Sequence, residues 1–185
     1  MAFEDDVKIF DAAKLREDAA KRAAAGMQDS ATRDMLDAAR SIGSGLAERT
    51  KQAERGFELD IDDDLLLQRR LLLCFAVSTG LEEYAKTVQI ARTALNTFYD
   101  TLKRSDPEFY DDIGSSGSLS FYYLAKRQQG DTVRRIGQTF AMLCGKDGDP
   151  VCQELGEVLY CRYIDMVRQL LAQLALDRDE PVIPQ

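Results

Sequence analysis

The sequence predicts an all-α protein, a multi-helix bundle or array of about six to eight helices with an apolar C-terminal helix at its centre. Three observations lead there. Only 4 prolines occur in 185 residues, and two of them, Pro181 and Pro184, lie in the last five positions, so the interior is almost free of helix breakers. Every periodic stretch repeats near 3.5 residues and none alternates as a half-buried strand does. Apolar residues make up 45% and charged residues 30%, the balance of a chain that folds around a core.

Residues 1–58 form an alanine-rich, acidic section that reads as two helices. One covers about 4 to 25 and ends near Gly26, and the second runs from the N-cap pair Asp29-Ser30 to about Arg55. Its stripe is Met35, Ala39, Ile42, Leu46, Ala53 and Phe57, interrupted by Gly43 and Gly45. Alanine buries little area, so this section is expected to be mobile unless it docks on something else.

Residues 59–178 are expected to hold the compact core, with 179–185 a tail. Asp60, Asp62, Asp63 and Asp64 stand at a helix start, where the positive end of the dipole favours carboxylates. A heptad seam follows at Val77, Leu81, Tyr84, Val88, Ala91, Leu95, Phe98 and Leu102, and extends back through Cys74 and Leu67 with Arg70 as its one polar member. Either one long helix runs from about 64 to 104, or two helices break at Ser78-Thr79-Gly80, where the capping-box spacing of Thr79 and Glu82 favours the break. Asp106-Pro107 and Asp149-Pro150 each pair an N-cap acid with proline at the first helical position. Between them, Ile113 to Ser118 reads as a glycine-serine loop. Helices over 119–129 and 131–144 come next, the second capped by Asp131 with Val133, Ile136, Phe140 and Leu143 inward. The last helix, about 150 to 176, is apolar on most of its circumference.

Composition removes many chemistries. The chain has no histidine, so Ser-His-Asp and Cys-His pairs and histidine-ligated metals are impossible within it. Asp60, Asp62 and Asp64 open like a calcium loop, but Leu65 and Leu71 stand where the required glycine and bidentate glutamate belong. Cys74, Cys144, Cys152 and Cys161 are too far apart for a CxxC site. Cys161 has Glu157 and Asp165 one helical turn away on either side, which disfavours a thiolate. No metal and no cofactor is expected. Net charge is -8, which argues against nucleic acid as a partner of the whole chain. The acidic amino terminus lacks the apolar core of a secretory signal, and the longest apolar run, Leu71 to Val77, is too short for a membrane span. These features predict a cytoplasmic protein with free thiols.

Seven of the fifteen aromatics fall within residues 98–123, as Phe98-Tyr99, Phe109-Tyr110 and Phe121-Tyr122-Tyr123. In such a pair one ring is expected to face the core and the other outward, with tyrosine at the wet position. Tyr99, Tyr110, Tyr122 and Tyr123, with Arg104 and Arg127, are therefore the candidate ligand- or partner-binding residues. The sequence supports a helical interaction or adaptor protein that binds another protein or itself. Its rivals are a small-ligand-binding domain using residues 98–123 and a histidine-free enzyme working through carboxylates, lysine or tyrosine.

Overall fold

The computed structural model describes residues 12–52 and 63–176, which form seven α-helices and, among the described residues, no strand. The chain divides into two compact units, Met1–Met35 and Leu36–Gln185. The expected boundary at 58/59 and the expected tail at 179–185 lie outside the described residues.

Helix α1 spans Ala12–Gln52 without interruption. The expected stop near Gly26 and restart at Asp29-Ser30 do not occur. One glycine costs about 1 kcal/mol relative to alanine in a helix, and with no proline nearby the alanines on either side carry the helix through. Within the larger unit, Ala39, Ile42, Leu46, Ala47 and Thr50 are buried. Here Gly43 allows a backbone approach, since a Cβ there would stand 2.3 Å from the Ala94 carbonyl oxygen. Lys51 Nζ donates to the Ser105 carbonyl at 3.2 Å along the same face.

Helix α2 spans Asp63–Tyr84, and every residue from Arg70 to Leu81 is buried. A helix enclosed on all sides has no polar face, so its hydroxyls must be satisfied internally. Ser78 Oγ donates to the Cys74 carbonyl and Thr79 Oγ1 to the Phe75 carbonyl, each at 3.0 Å. Thr79 therefore does not cap a new helix, and the expected break at 78–80 is absent. Gly80 makes room for Val167, whose Cγ1 would lie 3.0 Å from a Cβ at that position. The break comes at 85–87 instead. Thr87 then caps α3 (Val88–Ser105) by accepting from the Ile90 amide at 3.2 Å. The seam is thus divided between two helices: Val77, Leu81, Ala91, Phe98 and Leu102 are buried, whereas Tyr84 and Val88 are exposed.

Arg70, the polar member of the seam, is buried and explained. Its guanidinium binds the Asp106 carboxylate and lies 3.6 Å from the centre of the Phe109 ring. The other Asp106 oxygen accepts from the Phe109 amide at 3.2 Å and so starts α4 (Pro107–Ser115), with Pro107 at its first position. The expected loop at 113–118 shrinks to Ser116 and Gly117: Ile113 to Ser115 finish α4, Ser118 begins α5 (Ser118–Arg127), and Gly117 turns at a φ of 67°.

Asp131 caps α6 (Thr132–Leu143) through the Arg134 amide at 3.2 Å. The helix ends in a Schellman turn in which Gly145, at a φ of 66°, donates to Met142 and Lys146 donates to Ala141. Asp149 Oδ1 accepts from the Val151 and Cys152 amides at 2.9 and 3.3 Å, opening α7 (Pro150–Leu176). Within the larger unit α7 lies against α6 and α2, while α2 also meets α3, α5 and α6. The C-terminal helix thus shares the centre with α2. It keeps an outer face bearing Val151, Leu155 and Val158, whereas α2 over 70–81 has none. No helix of the described residues is long and apolar enough to cross a membrane.

Candidate functional site

The first two aromatic pairs follow the expected rule. Phe98 and Phe109 are buried, and Tyr99 and Tyr110 beside them are half-buried. Ser78 has one hydroxyl proton, which it gives to the Cys74 carbonyl, so the 3.0 Å contact between Ser78 Oγ and the Tyr99 hydroxyl is a donation from tyrosine. Burial pushes the Tyr99 phenol well above its ordinary value, and Cys74 adds to this. Tyr123 is shifted the same way, chiefly by burial. Its ring meets Phe75 edge-on, with centres 5.1 Å apart. Lys103 Nζ stands 5.7 Å from the centre of the Tyr110 ring.

The third cluster inverts the rule. Tyr122 is fully buried, stacked on Phe75 at 5.3 Å, while Phe121 before it is 47% exposed. The Tyr122 hydroxyl finds no hydrogen-bond partner among the described residues. Burial raises its pKa far beyond the ordinary phenol value, with smaller contributions from Cys144 and Cys152. A buried, unbonded hydroxyl costs about 1–3 kcal/mol. This segment therefore holds its more polar ring in the core and its less polar ring in water.

Phe121 does not stand alone. Leu124, one turn on along α5, is 58% exposed, and Met142 of α6 is 41% exposed. All three line one open groove of about 290 Å³, together with Ala125, Gln128, Arg135, Gln138, Thr139 and Asp147. Charge is concentrated beside it. Residues 118–147 carry Lys126, Arg127, Arg134, Arg135 and Lys146 against Asp131 and Asp147, a net of +3 in a chain of net -8. Among the described residues, only Lys126 of these meets an acid from another helix, Glu83 at 3.8 Å. Two dibasic pairs that look independent in the sequence are thus joined by the short α5–α6 turn.

Of the six candidate residues, Tyr99 bonds Ser78, while Tyr122 and Tyr123 both pack on Phe75, Tyr122 fully buried and Tyr123 half-buried. Arg104 and Arg127 are exposed in the last turns of two different helices, and Arg104 Nε is engaged by the Asp100 carbonyl at 3.1 Å. Sequence reasoning missed Phe121, Leu124 and Met142 as a group. The signal was present: Met142 stands off the inward row of its helix, and Leu124 stands off the buried row Ser118, Tyr122 and Ala125.

Among the described residues, no group of three acids or cysteines converges where a metal ion would sit. The four cysteines are free thiols, with Cys74 and Cys152 buried and Cys161 exposed. The Cys161 thiol is raised above its ordinary value, first by partial burial and then by Asp165 and Glu157. The acidic neighbours recognised in the sequence act in the expected direction but are not the leading cause. No family model matches the chain, and no curated protein or solved structure is significantly similar to it.

Proposed function

We propose that this protein is a helical interaction module whose α5–α6 groove receives an acidic, amphipathic helix of a protein partner. The observation that carries this reading is the inversion at Phe121-Tyr122. The segment accepts an unbonded buried hydroxyl and an exposed phenyl ring, and breaches of local rules of this kind concentrate at functional positions. A helix laying apolar side chains at one- and two-turn spacing on Phe121, Leu124 and Met142 would cover the exposed rings and chains. Arg135 in the groove wall, with Arg127 and Arg134 on the same two helices outweighing Asp147, favours an acidic polar face on that helix and speeds its encounter. Most of the heptad seam is spent on internal packing, with Tyr84 and Val88 exposed, and it does not contribute to this reading.

The test uses a designed peptide with leucines at helical spacing and glutamates elsewhere, titrated against the full chain by fluorescence anisotropy. Saturable binding is expected, weakened at least about tenfold by Leu124→Asp and by replacing the peptide's glutamates with lysines. Binding indifferent to both changes would refute the groove. A dimer in solution that Leu124→Asp dissociates would identify the occupant as a second copy instead.

A further inference from the structure

Helix α7 keeps an outward face that the α5–α6 groove does not use. Val151, Leu155 and Val158 follow one another there at one-turn spacing and are 74%, 37% and 57% exposed. None of the three lines the groove. Single exposed apolar side chains are ordinary, but three in one row, on a helix otherwise packed against α2 and α6, form a stripe without a cover. Two exposed charges, Glu154 and Arg162, stand on the same face, and neither forms an ion pair or a side-chain hydrogen bond among the described residues. They cannot satisfy each other, because eight positions of helix hold them about 12 Å apart along its axis. Asp165 and Arg168, the other exposed charges of this stretch, are joined at 2.8 Å. From Val151 to Arg168 the exposed charges of α7 thus balance, two acids against two bases, in a chain of net charge -8.

We infer that a second copy of the chain docks on this face, α7 against α7 in antiparallel order about a two-fold axis at Val158. The pattern is self-complementary about that residue, with Glu154 four positions before it and Arg162 four positions after it. An antiparallel pair therefore sets each Glu154 opposite Arg162 of the other copy, twice by symmetry, while the two Val158 side chains meet at the axis. Leu155, three positions before the axis, meets Cys161 of the other copy, three positions after it. Val151 packs along the methylene stem of the other copy's Arg162. A parallel pair would place Glu154 against Glu154 and Arg162 against Arg162, and like charges face to face oppose association. The balanced face also spares the pair the repulsion that two molecules of charge -8 meet elsewhere on their surfaces. This contact does not depend on how the α5–α6 groove is used.

The experiment is sedimentation equilibrium of the full chain between about 10 and 500 µM, a range suited to the small interface that two single helices make. A monomer–dimer equilibrium is expected. Val158→Asp, at an exposed position, should weaken it at least tenfold while the protein stays folded by circular dichroism. Glu154→Arg and Arg162→Glu should each weaken it several-fold, and the two together should restore it, because the pair re-forms with its signs exchanged. Leu124→Asp, in the α5–α6 groove, should leave it unchanged. Orientation is read by cross-linking with oxidised glutathione in a Cys161→Ser background. Val158→Cys, at the axis, should form an interchain disulfide, whereas Val151→Cys, about 20 Å along the helix from its counterpart, should not. A monomer at every concentration would overturn the assignment. So would a dimer indifferent to Val158→Asp, a double exchange that restores nothing, or cross-linking of Val151→Cys as readily as Val158→Cys.

Discussion

Helix α2 and the α5–α6 hairpin answer the same problem in opposite ways. Over Arg70 to Leu81, α2 hides every residue, and its three polar side chains in that stretch are bonded within the fold. The hairpin leaves Phe121, Leu124 and Met142 in water and buries a tyrosine hydroxyl without a partner. The first is organised for stability alone. The second departs from what stability favours, and that departure is the ground on which a binding role is proposed for it.

The contrast is most sharply tested at Phe75, around which Tyr122, Tyr123 and Tyr160 pack with ring centres 5.3, 5.1 and 5.9 Å away. Phe75→Ala should cost about 4 kcal/mol in chemical denaturation, while Leu124→Ala should cost less than about 0.5 kcal/mol. Equal losses would erase the distinction between the two regions.

Removing the Asp106 carboxylate should come next. Asp106→Ala takes away a helix cap and the partner of a buried arginine, and should cost about 3 kcal/mol at neutral pH. Burial alone would raise the pKa of this carboxyl, but the Arg70 guanidinium and the Phe109 amide outweigh it and hold the value below the ordinary one. Its contribution is therefore fully present above the unfolded carboxyl pKa of about 3.9 and is lost as pH falls through the lower folded value. Denaturation midpoints of the parent should decline across that acid range, and those of Asp106→Ala should decline less steeply.

Two glycines of α1 should behave oppositely. A Cβ at Gly43 would collide with the Ala94 carbonyl, whereas one at Gly45 meets nothing within 4 Å. Thermal melts should show Gly43→Ala destabilised by about 2 kcal/mol and Gly45→Ala stabilised by about 0.5–1 kcal/mol. The smallest effect expected is at the tyrosines. Tyr99→Phe gives up the Ser78 contact and should lose about 1 kcal/mol, while Tyr122→Phe removes a hydroxyl that bonds to nothing and should be neutral or slightly stabilising. A clear loss in Tyr122→Phe would mean that the hydroxyl is satisfied, and the inversion would cease to point to a site.

How much of this was legible in the sequence depended on the kind of signal. Caps were readable because they are local: Asp106, Asp131 and Asp149 all accept the amides that their positions predict. The helix break was misplaced because Ser78, Thr79 and Gly80 resemble a boundary when burial is unknown, and only the neighbours show that their side chains serve the interior. The heptad seam was a selection from a helix that is apolar all round. Choosing Cys74, Val77 and Leu81 as a stripe ignored Leu71, Leu72, Leu73, Phe75 and Ala76, which are equally buried. The candidate site was half visible. Aromatic density drew attention to residues 98–123, but the rule that tyrosine takes the wet position hid the exposed Phe121.

The Asp106 carboxylate also bears on the order in which the protein assembles. Helix α4 has nine residues, too few to persist alone in water. Its first turn is organised by a side chain whose other oxygen is claimed by Arg70, thirty-six positions earlier in the chain. Until α2 and α3 have come together, that carboxylate has no fixed orientation from which to meet the Phe109 amide. Helix α4 should therefore be among the last elements to form and the first to open. In native-state hydrogen exchange its amides should become exposed together, at a free energy well below that of the α2 amides and on a clock set by one arginine.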